Sequence, residues 1–245
     1  MSTIDRPRLA PLVAGERMSQ SEFHERYEAM PEGSWFELIG GSVVKLGRVD
    51  VLHAETNAAV VAWLGLYSMR TPGLRGGTKG STILGEHSEV HPDAMILVQP
   101  ECGGQTYPFG GYIGGAPELV VEAATASLEV DLGPKLADYE RAGVLEYIVI
   151  DPVSSAVYWH ARIDGRFTHL DSHLDGIYRS VTMGGLWLDA TALFEGDGMR
   201  LIDTLDRGIA TPQHARFTAR LGAARSLELS RSSNRKTVDP FDLHP

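Results

Sequence analysis

Four residues of this 245-residue chain are chemically out of keeping with their neighbours: Glu37 inside "FELI", Asp93 heading "DAMILV", Glu122 closing "LVVE", and Lys135 in "DLGPKLADY". A carboxylate set into an apolar run loses hydration on folding, so it must be paired, protonated or bound to a cation. Two carboxylates on neighbouring strands suit a hard divalent cation, which takes oxygen ligands and retains several waters. For Glu122 alternation offers a plainer account, a strand face shared with Glu118 and Val120 that reaches solvent at its ends. Lys135 follows Glu122 by thirteen residues. From a helix leaving that strand, its ammonium can fold back to orient a water or offset charge on a phosphoryl oxygen. Its plainer role is to partner Asp131, four residues earlier.

Three further side chains are candidates by position. Tyr139 lies one turn beyond Lys135 on the same helix face, a place more often filled by core tyrosines. His53 opens a long apolar helix, where it can contact a phosphate or simply pack. His91 precedes Pro92 and Asp93 but is a poorer ligand than a carboxylate for a hard metal. Cys102, the single cysteine, has no nucleophile context and excludes an intrachain disulfide, which fits a reducing, cytoplasmic setting.

The elements that must position these residues follow from periodicity and punctuation. "SQSEFHERYEAM" predicts a helix capped by Ser19, with Glu22 three residues on. "FELI" and "SVVK" predict a hairpin around Gly40-Gly41. Apolar spacing over 51–69 predicts a long core helix. The glycine-rich "LRGGTKGSTILG" predicts one short, bent or edge strand, and "HPDAMILVQP" a central strand. "CGGQTYPFGGYIGGAP" predicts an irregular loop. Then strand "ELVVEAA", a helix over "DLGPKLADYERAG" with Asp131 as N-cap and Gly143 as C-cap, and strand "LEYIVIDP" predict a right-handed crossover with parallel pairing. A hairpin turning at Asp164-Gly165, a short strand and a small helix follow. Residues 226–245 are weakly apolar and are predicted to be disordered.

Composition narrows the function classes. The net charge is −10, which argues against a protein that coats nucleic acid through a broadly basic surface. Residues 205–245 carry seven Lys/Arg against four Asp/Glu, a net +3, which leaves −13 on residues 1–204. Such asymmetry hints at a basic tail able to touch an anion, against the plainer account of a solvated terminus. No stretch has the length of a membrane span, and "MSTIDRPRLAPLVAG" lacks a signal-peptide core.

Taken in order, "FELIGGSVV", "HAETNAAVVAWL", "HPDAMILV", "ELVVEAATAS" and "DLGPKLADYERAGVLEYIVIDP" resemble the "putative restriction endonuclease" family, expanded in cyanobacteria, of the PD-(D/E)XK nuclease superfamily. The resemblance spans roughly residues 18–190 and is strongest over Glu118–Pro152. It implies an α/β, restriction-endonuclease-like core: a mixed central sheet flanked by helices, with an N-terminal helix and hairpin. By position it implies that Asp93 and Glu122 hold Mg2+ or Mn2+, that Glu37 completes the acid set, and that Lys135 is the catalytic lysine. The superfamily pattern places that lysine at position 124, where this chain has Ala124, and Lys135 matches the displaced position on the following helix. "ATAS" stands where the family has Ser-Pro-Ser.

The implied organisation is an arm over 1–17, a nuclease-like domain over 18–204 and a C-terminal helix with a disordered basic tail over 205–245. The implied activity is metal-dependent hydrolysis of phosphodiester bonds in DNA, with a homodimer suited to cutting both strands. The alternative is a nuclease fold kept as a weakly active or non-catalytic binding module in a defence or mobile-element context.

Overall fold

The computed structural model describes residues 9–236, with side chains described through residue 231. Ser19 caps the first helix, α1 (Gln20–Glu28), its side chain accepting from the Glu22 N–H as the sequence predicts. The expected hairpin forms as β1 (Phe36–Ile39) and β2 (Ser42–Lys45), with Gly40 and Gly41 both at positive φ, a conformation glycine adopts without strain. Asp50 caps the long helix α2 (Val51–Met69).

The next stretch departs from expectation. "LRGGTKGSTILG" yields two strands in different sheets, β3 (Leu74–Gly77) and β4 (Thr82–Ile83), because the chain turns at Thr78–Gly80 and crosses from one sheet to the other. β6 (Ala94–Val98) is the predicted central strand, lying inside one sheet between β9 and β3, while the short β5 (Glu89–Val90) just before it belongs to the other sheet. The predicted irregular loop contains a hairpin, β7 (Tyr107–Phe109) and β8 (Tyr112–Gly114), turning at Gly110-Gly111. Its glycines serve a tight turn, and such glycine-rich punctuation is compatible with either reading.

β9 (Leu119–Ala123) leads into α3 (Leu128–Val130), a wider π-turn at Asp131–Lys135, and α4 (Leu136–Ala142). Asp131 is therefore not the N-cap. The helical segment begins earlier, after Ser127, and Asp131 is buried within it. Pro134 lacks the N–H that would close a regular α-turn, which accounts for the wide turn at this point. Gly143 ends α4 in the left-handed conformation, as predicted. β10 (Glu146–Asp151) pairs parallel with β9, so the predicted crossover is present. β11 (Ala156–Ile163) and β12 (Arg166–Leu170) form the hairpin at Asp164-Gly165. β13 (Ile177–Arg179), β14 (Trp187–Asp189), α5 (Ala190–Glu195), α6 (Gly198–Ile209) and α7 (Pro212–Lys236) complete the chain.

The architecture is mixed α/β, with two six-stranded sheets in place of one: β2-β1-β5-β4-β8-β7 and β12-β11-β10-β9-β6-β3. One face of the second sheet packs Ile148, Ile150 and Trp159 against Trp63 and Tyr67 of α2, Leu205 of α6 and Phe217 of α7. The other packs Val120 and Val149 with Tyr139 and Tyr147. Each large apolar side chain buried this way contributes about 2 kcal/mol relative to exposure.

The predicted disorder of the C-terminal segment is corrected as far as residue 236. α7 runs that far, and its first half docks through Phe217 and Leu221. Residues 237–245 lie outside the described residues. In the arm, Leu12 is buried and Gly15 N–H donates to the Val43 carbonyl, while residues 1–8 also lie outside the described residues. Among the described residues no helix is long and apolar enough to cross a membrane.

Candidate active site

Glu122 and Asp93 meet because β6 and β9 pair antiparallel, with Ala94 opposite Val121. Asp93 stands just before β6, and its Oδ2 accepts from the Ala123 N–H at 2.8 Å. The Asp93 N–H in turn points at Glu122 Oε2, 3.3 Å away. These reciprocal backbone contacts fix two carboxylates at one end of the sheet. Both are buried, at 3% and 4% exposure.

Lys135 reaches the pair from the π-turn. Its Nζ lies 2.9 Å from Glu122 Oε1, 3.1 Å from Glu37 Oε2 and 3.7 Å from Asp131 Oδ1. This lysine therefore partners Asp131 and also folds back over the strand end. Glu37 arrives from β1 of the other sheet and accepts from the His91 N–H at 2.7 Å through Oε1. Tyr139 is fully buried and donates its hydroxyl to Glu122 Oε1 at 2.9 Å.

His53, at the start of α2, places Nε2 3.4 Å from Asp93 Oδ1, a charge contact without hydrogen-bond alignment, and this nitrogen has no hydrogen-bond partner. His91 flanks Glu37, with Nδ1 at 3.9 Å and likewise unpartnered. Thus Glu37, Asp93, Glu122, Lys135, His53 and Tyr139 all converge on one place. Cys102 does not, being buried beside Gly73 and α7.

Sequence reasoning missed Lys79. It ion-pairs with Asp93 from the turn between β3 and β4, where its own φ is +53°. Two hydrogen bonds clamp that turn: Lys79 N–H to the Pro92 carbonyl at 2.8 Å, and Thr78 Oγ1 to the Asp93 carbonyl at 2.7 Å. A left-handed lysine between Thr78 and Gly80 leaves no periodic trace. The signal was the charge itself, alone in a glycine-rich stretch.

The electrostatics separate the two acids. Burial opposes ionisation of Asp93, but neighbouring His53 and Lys79 outweigh it and hold the carboxyl at about 2. Burial lifts Glu122 to about 8 against the opposing pull of Lys135, and it also raises Asp131. Burial disfavours the Lys135 ammonium, yet Glu122, Glu37 and Asp131 around it push its pKa well above the usual lysine value. The shifts of Glu122 and Lys135 conflict if each is taken alone, since the first favours a neutral acid and the second a charged one. With three carboxylates around one ammonium, the lysine keeps its proton, while burial is what raises Glu122.

The cluster holds four carboxylates, of Glu37, Asp93, Glu122 and Asp131, against the lysines 79 and 135. A buried surplus of hard oxygen donors suits a divalent cation. Asp93 and Glu122 are the pair that could hold one. Although these side chains meet in one cluster, among the described residues no three His, Cys, Asp or Glu are spaced so as to hold a metal ion together.

A family model described as "Putative restriction endonuclease" (Uma2) matches residues 21–191. A crystal structure of a "putative nuclease belonging to DUF820" from Anabaena variabilis is similar in fold, with a TM-score of 0.57 at 16% identity, covering 70% of this chain and 96% of that one. No curated protein matches the chain.

Proposed function

The chain belongs to the Uma2 family of putative restriction endonucleases, and from that premise we propose that it hydrolyses phosphodiester bonds in DNA with Mg2+ or Mn2+ held by Asp93 and Glu122. The observation that carries the reading is the placement of Lys135 between Glu122 and Glu37, with Glu122 in turn held against Asp93, in a buried surplus of carboxylates. A divalent ion bound there supplies Lewis-acid activation of the water and of the phosphoryl oxygen.

The chain's own residues do the rest. Tyr139 orients Glu122 through its hydroxyl, and the Ala123 N–H orients Asp93. Lys135 orients the attacking water, and its positive charge offsets charge developing on the phosphoryl oxygens. Glu37 holds that lysine on the strand end. As the water oxygen bonds to phosphorus it gives up a proton to solvent, the bond to the leaving sugar oxygen breaks, and that oxygen takes up a proton from solvent.

The test is nicking of supercoiled plasmid with Mn2+ and its loss on chelation. Cleavage that persists in chelator would exclude the metal mechanism. Tight duplex binding with no cleavage in any divalent metal would instead identify a binding module.

A further inference from the structure

A second charged feature lies on the other face of the β10 sheet. The segment from His173 to Trp187 and the first half of α7 enclose an open pocket of about 500 Å³. Its lining includes Arg179, Thr182, Trp187, Gln213, Arg216 and Arg220, and no acidic residue lines it. We propose that this pocket binds the phosphate of a nucleotide, free or within a strand, through Arg216 and Arg220 with Arg179.

The two α7 arginines are four residues apart, so they project from one helix face, and both are exposed. Neither forms an ion pair with a carboxylate among the described residues. Arg179 is anchored instead: Asp175 binds its guanidinium, which stacks 4.4 Å from the centre of the Trp187 ring. Arg207 approaches the same ring at 6.0 Å. In a chain of net charge −10, three arginines line this one pocket, and two of them, Arg216 and Arg220, carry no carboxylate partner among the described residues, which favours an anion there. The planar guanidinium fork matches phosphate oxygens in geometry as well as in charge.

The pocket wall is held rigidly. The buried Glu146 carboxylate accepts from Ser180 Oγ, Val181 N–H, Thr182 N–H and Thr182 Oγ1 at 2.8–2.9 Å, and from Trp159 Nε1 at 2.9 Å. Five donors satisfy that charge internally, so it does not face the pocket as a free anion. Gly184 and Gly185 let the loop press on the helices: a Cβ at Gly184 would sit 2.7 Å from the Gln213 carbonyl, and one at Gly185 2.7 Å from the Gly208 carbonyl.

This site is separate from the acid cluster. Glu146 stands opposite Leu119, three residues before the Val149–Glu122 pair, about 10 Å along the strand at the usual rise. Its α7 arginines also lie beyond the family match, which ends at residue 191. The nucleotide character of the ligand rests on the nuclease reading, whereas affinity for phosphate does not.

Calorimetry without added metal, using pyrophosphate, a deoxynucleoside monophosphate and a short DNA duplex as probes, tests the proposal. Arg216→Gln combined with Arg220→Gln, both exposed, should weaken binding by about tenfold or more while circular dichroism stays native. Loss with the small probes identifies free nucleotide phosphate as the ligand, while loss with the duplex alone identifies strand phosphate. Arg231→Gln, further along α7, should leave every affinity unchanged. Wild-type affinities in the double variant, equal losses in Arg231→Gln, or no binding of any probe to the wild-type chain would overturn the proposal. Absence of plasmid nicking would sink the nuclease reading and leave these measurements unaffected.

Discussion

Lys135 Nζ sits 2.9 Å from Glu122 Oε1, with both side chains almost fully buried and contributed by different elements of the crossover. A contact of this kind is held in place from both sides, by the π-turn that aims the lysine and by the strand pairing that fixes the acid.

Removing the lysine should therefore cost stability as well as rate. Lys135→Met leaves Glu122, Glu37 and Asp131 without their shared cation, an expected loss of about 3 kcal/mol or more. Measured below its lowered melting temperature, cleavage should fall by roughly a hundredfold while DNA affinity is retained. Wild-type cleavage by a folded Lys135→Met variant would remove this residue from the mechanism.

The metal assignment is checked by titration with Mn2+. Asp93→Ala and Glu122→Ala should each abolish binding in calorimetry while circular dichroism stays native. If both variants bind Mn2+ as the wild type does, the ion sits elsewhere or nowhere.

Asp93 predicts an acid limb of stability. Its folded pKa of about 2 lies below its ordinary 3.8, so its contribution is fully present above 3.8 and is lost as pH falls through about 2. The contribution is about 2 kcal/mol. Denaturant melts from pH 5 to pH 2 (roughly the span over which such a carboxyl is lost) should show a shallower acid decline in Asp93→Asn than in wild type. Parallel curves would mean that His53 and Lys79 do not hold the charge.

α7 predicts a graded response to truncation. Residues 226–231 are exposed, so ending the chain at Arg225 should barely move the melting temperature. Ending it at Thr211 also removes buried Phe217 and Leu221 and should cost several kcal/mol, about 2–5 for each large apolar side chain. Equal melting temperatures for the two truncations would show that the docking of α7 contributes nothing.

Local chemistry in the chain was enough to specify much of this protein. Ser19, Gly40-Gly41, the 51–69 periodicity, Gly143 and Asp164-Gly165 each act within a few residues, and each element they predict is present. The resemblance to the restriction endonuclease family also pointed to Glu37, Asp93, Glu122 and Lys135, with His53 and Tyr139 as accessories, and the fold brings these side chains into contact. Tertiary structure decided the rest. Division of the strands between two sheets, the entry of Lys79 beside Asp93, and the docking of α7 on the core all depend on contacts between residues far apart in sequence. Periodicity carries no record of such contacts. The same holds for Asp131, whose local pattern marks an N-cap but whose burial beside Lys135 makes it part of the acid cluster.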